Sequence, residues 1–78
     1  MNHKHPFPQY RKYSNNKNFF KIISPDEFEE ISFIGSKRIV RSYKATILPD
    51  RNLVHDLLYD PLFAQKIPEE EYNQQLNI

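Results

Sequence analysis

The chain has one glycine, Gly35, and what that residue does narrows the possible folds more than any other feature. It lies in the run Ile31-Ser-Phe-Ile-Gly-Ser-Lys-Arg-Ile-Val-Arg-Ser-Tyr-Lys-Ala-Thr-Ile-Leu48. From Ile39 onward one face of an extended chain reads Ile39, Arg41, Tyr43, Ala45 and Ile47. The other reads Arg38, Val40, Ser42, Lys44 and Thr46. Mostly apolar residues alternating with mostly polar ones are the period-2 mark of a half-buried strand. Gly35 with Ser36 suits a two-residue hairpin turn, although a glycine can equally stop a helix.

Cross-strand pairing favours the turn. With Gly35-Ser36 at the tip, Ile34 faces Lys37, Ile31 faces Val40, Glu30 faces Arg41, Phe28 faces Tyr43 and Glu27 faces Lys44. Two opposite-charge pairs, an aromatic pair and an aliphatic pair make a coherent set, each worth roughly 0.2–1 kcal/mol. A competing signal lies just upstream. Ser24-Pro25-Asp26-Glu27 has the make-up of a helix start, with a capping serine, a proline for the first turn and a glutamate closing a capping box. The expectation is a helical turn from Pro25 to about Glu30, then a hairpin built on Ile31–Ile34 and Lys37–Leu48. A continuous helix and a longer hairpin arm over 25–34 remain alternatives.

The rest of the chain follows from simpler signals. Residues 1–8, with Pro6 and Pro8, read as a flexible arm, and 9–76 as one domain. Gln9–Tyr13 and Phe19–Ile23 are β-prone runs joined by the turn-forming cluster Ser14-Asn-Asn-Lys-Asn18, which predicts a hairpin. Leu53, Val54, Leu57 and Leu58 recur at helical spacing, so a short helix is expected over Arg51–Tyr59, capped by Asp50 and closed before Pro61. Leu62–Ile67 suggests a last strand, and Pro68 through Glu71 to Leu76 an acidic helix start. Lys21-Ile-Ile-Ser-Pro-Asp-Glu-Phe28 is echoed by Lys66-Ile-Pro-Glu-Glu-Glu-Tyr72, as if one strand-into-helix solution were used twice. The fold class expected is α+β: a small single domain whose mostly antiparallel sheet has three to four short strands, with two to three short helices packed on one face.

Size and composition bear on function. A chain of 78 residues has a thin core, and a deep substrate cleft would take space that core needs. Without cysteine there are no disulfides, thiolate metal sites or thiol nucleophiles, which fits a cytoplasmic setting. The N-terminus has no apolar segment of the signal-peptide kind, and no apolar run approaches the ~20 residues of a membrane span. The net charge of +1 hides blocks that alternate in sign, basic over 1–24, acidic over 25–34, basic over 35–51 and acidic over 52–78. Blocks of opposite sign that meet in the fold, or face solvent, account for this arrangement.

Four groups of residues could carry chemistry. His3 behind the amino terminus, with His5, could wrap a square-planar copper or nickel ion, but a solvated tail explains them as well. His55-Asp56 invites acid–base chemistry, yet neighbours on a helix point about 100° apart and no nucleophile motif accompanies them. Glu29-Glu30 and Glu69–Glu71 lack the alternating ligands of a calcium loop and suit helix starts instead. The fourth group interleaves bases with aromatics. Tyr10, Arg11, Tyr13, Arg38, Arg41 and Lys44 form the candidate binding surface, where rings could stack unpaired bases and cations could neutralise phosphates. Arg41, on the apolar side of its strand, could instead pair with Glu30 or anchor a partner. No catalytic residue, cofactor or metal site is implied. The reading is a non-catalytic protein-interaction module that binds another protein or a second copy of itself; the alternative is single-stranded nucleic-acid binding through the basic-aromatic surface.

Overall fold

The computed structural model of the chain describes residues 6–76. Its centre is the hairpin set by Gly35, whose φ of 62° is the left-handed conformation a tight reversal needs. The strands on either side, here β3 (Glu27–Ile34) and β4 (Lys37–Lys44), pair in the expected register, from Ile34 opposite Lys37 to Glu27 opposite Lys44.

The expected helical turn at Pro25 does not form. β2 (Asn18–Ser24) runs into a Pro25-Asp26 turn and β3 begins at Glu27. Ser24 is used within that turn, its hydroxyl donating to the Asp26 carboxylate at 2.7 Å, and not as a helix cap. The physical reason is that the sheet has two cores to fill. On a helix Phe28 and Ile31 would share a face; on a strand they point to opposite faces. Phe28 joins Phe20, Ile22, Ala45, Val54, Leu57 and Ala64 on one side, while Ile31 joins Tyr10, Phe19, Ile67 and Tyr72 on the other. Adjacent Phe19 and Phe20 serve the two cores by the same alternation.

β1 (Gln9–Lys12) pairs with β2, and the loop between them is stitched by the Tyr13 amide donating to the Asn18 carbonyl at 3.0 Å. The chain leaves β4 through helix α1 (Leu48–Tyr59) and returns to the far side of β1 as the two-residue strand β5 (Gln65–Lys66). The result is a five-strand antiparallel sheet in the order β4-β3-β2-β1-β5, followed by helix α2 (Glu69–Leu76). Small and α+β are therefore right, with one strand more than the upper expectation. The helices do not share one face, however: α1 covers the Phe20 side and α2 the Phe19 side. α1 also starts three residues before the expected Arg51, because Pro49 is tolerated in a first turn whose amides have no helical acceptor. Of the expected N-terminal arm, Phe7 packs on the Phe20 core; residues 1–5 lie outside the described part.

Candidate functional site

The six candidate surface residues do not form one surface. Tyr10 is buried under α2, its ring centre 5.3 Å from that of Tyr72. Tyr13 packs edge-on against Phe20 and Phe63. Arg11 is only 6% exposed. Its Nε donates to the Leu57 carbonyl and its Nη1 to the Tyr10 carbonyl, both at 2.8 Å, and its Nη2 donates to Gln9 Oε1, also at 2.8 Å. Nη2 also reaches the Leu58 carbonyl at 3.5 Å. Leu57 and Leu58 lie in the last turn of α1, which carries no base of its own. Arg11 thus acts as the cation at that helix C-terminus and satisfies carbonyls that no helical amide can reach. Burial pushes its guanidinium below the ordinary value, and the group remains charged. These three residues hold the fold together.

The other three, Arg38, Arg41 and Lys44, are exposed on β4, at the far edge of the sheet. They too divide between faces, since even and odd positions of a strand point opposite ways. Arg38 Nη1 donates to the Gln75 carbonyl at 2.9 Å, near the end of α2. Arg41 stands opposite Glu30 as expected, but no ion pair joins them; Glu30 accepts from Asn18 Nδ2 at 2.8 Å instead. Glu29 points to the other face and accepts from the Tyr72 hydroxyl at 2.7 Å. Burial, then this bond, pushes the Tyr72 phenol far up. The paired acids of the sequence are therefore separated by the strand, each with its own structural partner.

What remains accessible is β4 itself. It spans eight residues, none of them buried, and among the described residues it pairs only with β3. In an antiparallel hairpin closed by a two-residue turn, positions alternate between pairs that exchange backbone bonds and pairs that do not. Lys37, Ile39, Arg41 and Tyr43 turn their amides and carbonyls toward β3, and the Ala45 amide continues the series by donating to the Asp26 carbonyl at 2.7 Å. Val40, Ser42 and Lys44 turn theirs outward, where among the described residues no strand meets them, although the Lys44 carbonyl already accepts from the Thr46 amide at 3.0 Å. Beside this edge, beyond the cover of α1, is an open hollow of about 400 Å³ whose lining includes Asn18, Glu30, Ile34, Ile39, Arg41 and Tyr43. Ile34 at its rim is 66% exposed. The sequence showed β4 as a half-buried strand; that it is an edge depends on strand order, which periodicity does not encode.

The remaining candidates lie elsewhere. His55 is exposed on α1 against the Tyr59 ring, with Nδ1 3.9 Å from the Asp56 carboxylate. Glu71 pairs with Lys12 at 2.9 Å, tying α2 to β1. His3 and His5 fall outside the described residues. Among the described residues no group of histidines and acids is placed to hold a metal ion, and no helix is long and apolar enough to cross a membrane. Compared with protein-family models, curated proteins and solved structures, the chain matches none of them.

Proposed function

We propose that the chain is a non-catalytic binding module that takes up an extended segment of another protein along β4. The observation that carries this reading is the eight-residue edge strand, paired on one side among the described residues and presenting the amides of Val40, Ser42 and Lys44 and the carbonyls of Val40 and Ser42 outward. An edge of this kind accepts a further strand through main-chain hydrogen bonds, with alternate side chains supplying selectivity. A cytoplasmic setting belongs to the same reading, since a domain without cysteine gains no disulfide from an oxidising compartment.

Two other readings have less support. A stacking platform for nucleic acid needs exposed rings beside bases. Here Tyr10, Phe19, Phe20 and Phe28 are buried, and Tyr43 is stacked on Phe28 at 4.9 Å. Self-association along β4 would bring Lys37, Arg38, Arg41 and Lys44 of both copies into one ladder, and like charges opposite each other destabilise a pair.

Ser42→Pro tests the proposal. It removes one outward amide and leaves the bonds to β3 intact, because proline is tolerated where the donor faces solvent. A partner retained by the wild-type chain after nuclease treatment, and lost on Ser42→Pro at unchanged melting temperature, is the expected result. Equal retention by both chains contradicts it.

A further inference from the structure

We infer that the segment taken up along β4 is acidic, with carboxylates spaced to meet Lys37, Arg41 and Lys44 and apolar residues between them. This inference rests on the edge-strand reading and adds the chemistry of the partner. β4 carries Lys37, Arg38, Arg41 and Lys44 and no acid. Lysines along a free edge discourage pairing with neutral or basic strands, so an incoming strand must offset them. The acids across from β4 offset them only from a distance. Glu27 and Glu30 face Lys44 and Arg41, and the Ser24 hydroxyl first, with Lys44 after it, helps hold the Asp26 carboxylate below its ordinary value. Among the described residues, however, Lys37, Arg41 and Lys44 have no ion-pair partner within 4.0 Å, and Glu29 and Glu30 are bonded to Tyr72 and Asn18.

The register gives the order of side chains. An antiparallel partner read from its N-terminus would face Lys44 first and Lys37 last. It carries an acid opposite Lys44, an apolar residue beside Tyr43, a small polar residue by Ser42 and an acid at Arg41. Apolar residues then lie beside Val40 and Ile39, and an acid ends the segment at Lys37. The residue beside Ile39 sits over the open hollow, against Ile34. β3 offers a related order from the other side, where Glu27 faces Lys44, Phe28 faces Tyr43, Glu30 faces Arg41 and Ile31 faces Val40, with a further acid, Glu29, at Ser42.

Three synthetic peptides with one apolar frame test this, carrying glutamate, glutamine or lysine at the charge positions. The readout is amide shifts and amide exchange of the full chain. The expected result is that the glutamate peptide slows exchange at Val40, Ser42 and Lys44 and binds about ten-fold more tightly than the glutamine peptide. That advantage should shrink at high salt and in an Arg41→Gln, Lys44→Gln double variant. Equal binding of the three peptides at these amides would overturn the acidic partner and leave the edge-strand reading standing. Binding that leaves the exchange of Val40, Ser42 and Lys44 unchanged, or no binding by any peptide, would overturn both. A single-stranded oligonucleotide that shifts the β4 amides more strongly than the glutamate peptide would overturn both in favour of nucleic acid.

Discussion

Arg11 and Arg41 share one row across the sheet, Arg11 opposite Phe20, Phe20 opposite Glu30, Glu30 opposite Arg41, with all four side chains on the same face; Arg41 is on the β4 edge, and Arg11 is one strand in from the β5 edge, where Lys66 faces it. Toward one side α1 lies over the row, and Arg11 is buried with its donors shared between carbonyls of α1 and the Tyr10 carbonyl and Gln9 side chain of its own strand. Toward the other side nothing among the described residues covers it, and Arg41 is exposed without a partner for its charge. The same residue type in one sheet is structural where a helix arrives and available where none does. The difference teaches that function in so small a chain is confined to what the helices leave uncovered. It also means that stability and binding respond to different halves of the sheet.

Substitutions should separate the halves. The largest effect is expected from Phe20→Ala, which opens a cavity under α1 and should cost about 4 kcal/mol in a urea titration. Arg11→Met keeps the apolar stem but strands the Leu57 carbonyl and removes the cation at the C-terminus of α1, with an expected loss of about 3 kcal/mol. A loss near zero would mean that the two arginines are alike after all. Tyr72→Phe removes only the hydroxyl bonded to Glu29 and should cost about 1–2 kcal/mol by the same titration. At the open end, Arg41→Gln should change stability by less than about 0.5 kcal/mol.

Alkaline pH sharpens the contrast from another side. Burial first, and acidic neighbours second, push the Tyr10, Tyr13 and Tyr72 phenols up. Above the ordinary tyrosine value of about 10, the unfolded chain therefore sheds protons that the folded chain keeps. The folded chain then holds more protons than the unfolded one, so stability falls as pH rises. Below that value the contribution is fully present. Denaturation followed at rising alkaline pH should show this decline, and Tyr72→Phe should make it shallower. A decline of equal slope in the variant would place the effect elsewhere.

The legible parts of the fold were those written in local pairs. Gly35 and the complementary residues on either side gave the hairpin and its register, because each pair carries its own small preference. The misread part was Ser24–Glu27, where a capping box and a two-residue turn use the same residues. Only the presence of two cores, one for Phe28 and one for Ile31, decides between them. The apparent echo between Lys21–Phe28 and Lys66–Tyr72 divides on the same point: the first doubles back as a strand, the second winds into α2. Interleaved bases and aromatics read alike whichever part of the sheet a helix covers, so they do not mark Arg11 as a buried structural residue. One signal was there to find. α1 has no base in its last turn, so a cation had to come from another element.

Amide hydrogen exchange along β4 in the free chain distinguishes an open edge from an occupied one. Alternation is expected, with Ile39, Arg41 and Tyr43 protected by β3 while Val40, Ser42 and Lys44 exchange fast. Comparable protection at both sets of amides would show that the outer side of β4 is already occupied, and would contradict an edge left open for a partner.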